Sequence, residues 1–223
     1  MSNLTLFVLG HEKEAIKNTC SLIKEKSYLK LVPVNLNDLD LSNYPENYNT
    51  KLLSENRFFL CDWNIQTEYI GIISYSWPKK FRAFNLNSII SNIFYQINEE
   101  KVLAPRIADK DWPENSEKEH HAGIEFYLKE LSLFMDYGDR WRSYSLWCNT
   151  FFCHKNTYDL FLKDWRLMFG YLDEKYKMNF NFDCSKEYVN EERKAAYLLE
   201  RATMMYFAQS NFYINQINKV KFL

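Results

Sequence analysis

Leu4-Thr5-Leu6-Phe7-Val8-Leu9-Gly10 is the stretch that decides the fold. Six residues, five of them apolar, run without interruption and stop at a glycine. A strand with one solvated face would alternate, so a continuous run reads as a strand covered on both faces, as in a parallel sheet. Residues 12–26 follow with Ala15, Ile16, Leu22 and Ile23 on a helical stripe. Residues 29–36 (Leu-Lys-Leu-Val-Pro-Val-Asn-Leu) read as a second strand. Strand, helix and strand in about 35 residues is the βαβ unit of a parallel α/β sheet.

Working outward, residues 38–50 are polar and read as a surface loop, and 51–63 read as a helix with Leu52, Leu53, Phe59 and Leu60 facing inward. Tyr69-Ile-Gly-Ile-Ile-Ser-Tyr-Ser76 is a second buried strand, followed by Pro78 and the basic Lys79, Lys80 and Arg82. A helix over 86–97, a short strand over 101–105 and a polar loop over 107–121 come next. The second half predicts a helix over 123–136, an aromatic strand over 144–153, and helices over 157–176 and 190–209. The expectation is one domain over 1–223, sheet-rich over 1–110 and helix-rich over 120–223. Its class is α/β: a Rossmann-type, mostly parallel sheet flanked by helices, with a helical C-terminal part.

The 223 residues are 47% hydrophobic and 26% charged, with a net charge of −1, so a basic nucleic-acid-binding surface is not expected. Sixteen Tyr, 17 Phe and 6 Trp make the chain unusually aromatic. Five cysteines (20, 61, 148, 153 and 184) form no CxxC pair and read as buried thiols of a reducing compartment, which places the protein in the cytoplasm. The N-terminus lacks the basic flank of a leader, and no apolar run approaches the roughly 20 residues of a spanning helix. This leaves peripheral contact as the membrane interaction the sequence allows.

Parallel sheets hold ligands beyond the carboxyl ends of their strands. Three segments fall there: Gly10 to Lys13, Ser74 to Lys80 and Arg106 to Asp111. Lys79, Lys80 and Arg82 can hold a diphosphate by charge, or be a solvated loop. Asp38-Leu39-Asp40 and Asp109-Lys110-Asp111 have the spacing of a Mg²⁺ or Mn²⁺ diphosphate site, and equally the composition of turns. His120-His121 beside Glu117 and Glu119 can be a metal site or a general base but reads first as exposed, and Glu200-Arg201 on an apolar helix is either an exposed pair, the first reading, or a paired buried group. There is no GxGxxG, no GxxxxGK[ST] and no GxSxG, which argues against a dinucleotide-dependent dehydrogenase, a P-loop kinase and an α/β-hydrolase.

Four patches in this order resemble the bacterial capsular and exopolysaccharide glycosyltransferase-like family, which has a GT-A type fold. They are Phe7-Val8-Leu9-Gly10-His11-Glu12-Lys13, the segment from Glu55 to Trp63, Tyr69-Ile70-Gly71-Ile72-Ile73-Ser74-Tyr75, and Cys148-Asn149-Thr150-Phe151-Phe152-Cys153-His154-Lys155, with Glu200-Arg201 following on a late helix. The chain departs from the family where Ser74 stands for a His and Ser76-Trp77 for an Arg pair, and Glu12 separates His11 from Lys13. The resemblance implies transfer of a sugar from a nucleotide-sugar donor to a hydroxyl of a glycan acceptor. It implies Glu200 and His154 as catalytic groups. His11, Ser74, Tyr75, Lys79, Lys80, Asn149 and Arg201 would hold the donor, and Asp109 and Asp111 a Mn²⁺ or Mg²⁺ ion if one is used. Trp77 and Trp112 would stack on a sugar ring or a base, with core packing as the alternative for each Trp and the favoured one for Trp165. A catalytically inactive nucleotide- or carbohydrate-binding relative is the competing reading, and an interaction protein the third.

Overall fold

The computed structural model describes residues 3–49, 52–80, 85–119, 121–146, 149–183, 191–210 and 213–217. In chain order the elements are β1 (Leu4–Gly10), α1 (Lys13–Ser21), β2 (Leu29–Asn35), β3 (Tyr69–Ser74), α2 (Trp77–Lys80), α3 (Leu86–Gln96), β4 (Lys101–Ala104), β5 (Ile107–Ala108), α4 (Trp112–Glu119), α5 (Ile124–Phe134), β6 (Ser145–Leu146), β7 (Phe151–His154), α6 (Lys155–Tyr176), α7 (Lys194–Gln209) and β8 (Tyr213–Gln216). Short 3₁₀ helices lie between them, the longest over Ser54–Leu60.

The main sheet has the order β2-β1-β3-β7-β4-β8. β1 pairs in parallel with β2 and β3, and β4 with β8, while β7 runs antiparallel between β3 and β4. Five strands therefore point one way and β7 alone points back. The period of two is visible in the core. Phe7, Leu9, Ile70, Ile72, Val102, Ala104, Phe151 and Cys153 face one layer, built by the 3₁₀ helix, α5, α6 and α7. Leu4, Leu6, Val8, Ile73, Leu103 and Phe152 face the other, built by α1 and α3. Both faces are covered, which is why β1 is apolar throughout and buried at every position. Gly71 is required where it stands: a Cβ there would lie 2.4 Å from the Phe152 ring, which crosses it from the neighbouring strand.

Several expectations are corrected. Residues 51–63 form no α-helix. Ser54 takes a left-handed φ of 50°, Asn56 Nδ2 donates to Leu53 O and Arg57 Nε to Ser54 O, each at 3.1 Å. These side chains draw local carbonyls away from an α-helical ladder, leaving a 3₁₀ segment. Residues 107–121 are not a loop but hold β5 and α4. Trp112 anchors α4 by donating to Ser143 O at 3.2 Å and by an edge contact with Trp141. The 144–153 strand divides into β6, which pairs with β5, and β7. The first helix ends at Ser21 and leaves Leu22 exposed. α6 starts two residues early because His154 Nδ1 accepts the Asn156 N–H. The short strand β8 lies beyond the elements the sequence pattern indicated.

Candidate functional site

β1, β3 and β4 all end at the same edge of the sheet, and the site is built there from β1 outward. Gly10 lets the chain turn: a Cβ on it would meet Ile16 Cγ1 at 2.7 Å and the Tyr75 ring at 2.8 Å. His11 follows, half-buried, its carbonyl held by Asn37 Nδ2 at 2.9 Å. Arg57, only 2% exposed, reaches the ring, with its NH2 group 3.1 Å from His11 Nδ1. A guanidinium only donates, so His11 Nδ1 accepts and the ring proton sits on Nε2. Burial first, and the Arg57 charge second, hold the His11 pKa below its ordinary value, so the ring is neutral near pH 7. In that state Nδ1 is occupied and the remaining ring N–H is a donor, with the Asn37 side chain as a neighbouring acceptor that partly opposes the downward shift.

Ser54 ties this pair to α7. Its carbonyl accepts from Arg57, and its hydroxyl accepts from Arg193 NH2 at 3.2 Å. The left-handed serine is a strained conformation held by two arginines. Arg193 also lies over the Tyr197 ring, 5.4 Å from its centroid. Next to Arg57, Asn56 donates to Ala196 O and accepts from Asn149 Nδ2 at 3.0 Å, joining the 3₁₀ helix to α7 and to the chain entering β7. β7 pairs Phe151 with Ile72, so Asn149 stands level with Ser74 at the strand ends. The buried Asn149 Oδ1 has no hydrogen-bond partner among the described residues.

The structure thus gathers His11, Ser74, Tyr75 and Asn149. Tyr75 N donates to Leu9 O at 2.7 Å, and Ser74 and Ser76 share a hydrogen bond of 3.0 Å. Lys79 is exposed on α2, four residues beyond Tyr75. The Lys80 side chain, Arg82, His120, Cys148 and Cys184 lie outside the described residues. Arg201 is not exposed but 4% accessible. Its Nε donates to Ser116 Oγ at 2.9 Å, and its NH1 faces Glu200 Oε1 at 3.3 Å. A buried guanidinium needs such partners, and α4, read as loop in the sequence, supplies one. Arg193 is the N-cap of α7, and Glu200 lies on the second turn of that helix.

His154 is set apart from the others. β7 runs backwards, so its last residue falls at the amino edge: His154 pairs with Tyr69, and Tyr69 is level with Leu4. A seven-residue strand separates it from His11 by roughly 20 Å. There His154 caps α6 and meets the Tyr69 ring edge-on at 5.6 Å. Trp77 and Trp112 are core residues, 2% and 1% exposed, not stacking platforms, and Trp165 is buried as expected. His121 is buried against the Tyr197 ring at 4.6 Å. Asp38 bridges Lys13 at 2.9 Å, and Asp40 accepts the Ser42 N–H. Asp109 accepts the Asp111 N–H at 3.1 Å, a turn leading into α4. This pair fits a divalent cation poorly: one carboxylate is engaged, and no group of three His, Cys, Asp or Glu suited to a metal occurs among the described residues.

Arg57, Asn56 and Arg193 are the residues the sequence reading missed. The available signal was a lone arginine between Leu53 and Phe58 in an otherwise inward-facing segment. Cys20, Cys61 and Cys153 are free thiols, and no helix among the described residues is long and apolar enough to cross a membrane.

No protein-family model matches the chain, and no curated protein does. A solved structure does: the bifunctional glycosyltransferase WbbM in its apo form superposes with a TM-score of 0.63 over 97% of this chain, at 13% identity. This chain spans a little under half of that protein, 45% of its length. The six-stranded, mostly parallel sheet with helices on both faces is a glycosyltransferase-like fold.

Proposed function

We propose that this chain transfers a glycosyl group from a nucleotide-sugar donor to a hydroxyl of a glycan acceptor, as a GT-A type enzyme of polysaccharide biosynthesis working in the cytoplasm. One observation carries the reading: His11 stands just beyond the end of β1 with its Nδ1 engaged by buried Arg57, which leaves Nε2–H as the donor at the strand-end edge. In glycosyl transfer the bond from the anomeric carbon to the diphosphate breaks, and negative charge grows on the departing phosphate. Preorganised donors and cations at that point stabilise it. His11 Nε2–H and Arg193 serve this role from inside the site, with the exposed Lys79 beside them on α2; the resemblance adds Lys80 to this set. Arg57 acts through His11 as a positioning residue. The Tyr75 ring and Ser74 border the nucleotide, and Asn149 lies behind them on the sugar side, as the resemblance implies. Glu200, oriented by Arg201, takes the proton of the attacking acceptor hydroxyl as its oxygen bonds to the anomeric carbon. The diphosphate is stabilised by side-chain cations in this scheme, and no step is routed through a metal.

The competing reading, a binding-only relative, is favoured by Ser74 and Ser76 bonding to each other where a charged pair would serve a diphosphate. Thermal shifts with UDP, GDP, CMP and dTDP sugars, with and without Mn²⁺, test both. A shift with one nucleotide that is lost in His11→Ala, together with release of that nucleotide when acceptor is supplied, is expected. A shift without turnover across an acceptor panel selects the binding-only relative. No shift with any donor at millimolar concentration overturns both.

A further inference from the structure

α6 carries a glycine that its own fold does not require. Gly170 lies in the interior of a 22-residue helix on its exposed side, and a Cβ added there would meet nothing within 4 Å. Glycine costs about 1 kcal/mol relative to alanine in a helix interior, and it repays that cost where another backbone comes close. At 100° per residue, Lys163, Leu167, Gly170 and Glu174 fall within an arc of about 60°, forming one stripe along α6. Leu167 is 49% exposed and Leu160, on the flank, 55%. Beyond the same flank Tyr171 stacks on the half-exposed Phe134 of α5 at 4.4 Å. Neither Lys163 nor Glu174 makes a salt bridge among the described residues.

The stripe is complementary to itself when reversed. The point midway between Leu167 and Gly170 along the helix is also midway between Lys163 and Glu174. We infer that α6 is the interface of a two-fold dimer of this chain, packed antiparallel on α6 of a second copy about that point. Leu167 of each copy then enters the gap left by Gly170 of the other, and Lys163 of each meets Glu174 of the other. A hollow of about 430 Å³, bounded by Asp159, Leu162, Lys163, Arg166 and Leu167, receives the incoming Glu174. A charge pattern that matches an inverted copy of itself favours a second molecule of this chain as the occupant. A few helical turns per copy place the contact at the small end of specific interfaces, with a dissociation constant of about 10–100 µM.

Sedimentation equilibrium of the full chain from about 1 to 500 µM tests this. A concentration-dependent dimer is expected. Lys163→Glu sets like charges opposite each other and weakens it at least tenfold, while the double variant Lys163→Glu/Glu174→Lys restores the parent constant within about threefold. Gly170→Ala raises the melting temperature of the dilute monomer yet weakens association about tenfold, opposite effects that a merely structural glycine does not give. A chain that stays monomeric at 500 µM overturns the inference. So does a dimer unaffected by Lys163→Glu or Gly170→Ala, or one that the double reversal fails to restore.

Discussion

Replacing Arg57 by methionine separates the roles assigned to the centre of the site. The side chain has similar length and fits a 2%-exposed position. It removes the donor to Ser54 O and the donor to His11 Nδ1, both at 3.1 Å. An orphaned buried acceptor costs about 1–3 kcal/mol, and burying a thioether in place of a guanidinium returns part of this. The expected net loss is about 2–4 kcal/mol at pH 7.5. The pH dependence follows from His11. Its folded pKa lies below the ordinary 6.5, chiefly through burial and next through Arg57. The unfolded chain therefore binds the proton first. His11 contributes its full stability above about pH 6.5, and that contribution is lost as pH falls through the depressed folded value. Without Arg57 the burial effect remains and the charge effect goes, so the His11 pKa rises and the acid-side loss below pH 6.5 becomes shallower. Urea unfolding at pH 7.5 and 5.5, with an NMR titration of the His11 ring assigned by His11→Gln, reads both quantities. A variant as stable as the parent at pH 7.5, or a ring that titrates where the parent's does, refutes the reasoning.

Glu200→Gln should lower turnover by about 10²–10⁴-fold while leaving nucleotide binding, read by calorimetry, within a factor of two. His154→Ala should leave turnover unchanged and cost about 1 kcal/mol in urea unfolding, because it removes the α6 cap far from the strand ends. Gly71→Ala, whose methyl collides with the Phe152 ring, should cost about 2–3 kcal/mol or prevent recovery of folded protein.

The part of the fold written in local pattern was legible. The β1 run, its following helix and the second strand declared a parallel sheet, and α6 and α7 announced themselves by helical spacing. What was hidden depended on distant partners. The 3₁₀ helix over Ser54–Leu60 has an ordinary helical stripe, and only capture of its carbonyls by Asn56 and Arg57 decides against an α-helix. α4 looked like a loop because its apolar anchor, Trp112, needs Trp141, while Arg201 completes it through Ser116. In the site, His11, Ser74 and Tyr75 were expected from their position near strand ends, and Asn149 only through the resemblance. His154 was misplaced because the direction of β7 cannot be read from its own residues: an apolar strand has the same composition whichever way it runs. Arg57 went unread because a single arginine in an apolar segment signals a buried cation only once its acceptors are known.

That reversed strand also bears on how the protein is made. β2, β1 and β3 pair among residues 4–74, but the outer edge of β3 is covered only by β7, whose Phe151 lies opposite Ile72. At about 5–20 residues per second, a ribosome takes on the order of 4–16 s to synthesise the residues between them. Through that interval the nascent chain presents Tyr69-Ile-Gly-Ile-Ile-Ser74 as an open apolar strand edge, the kind of surface on which growing chains stick to one another. The strand that follows Asn149 thus leaves the β3 edge of the first third of the polypeptide without its sheet neighbour until translation has passed residue 154.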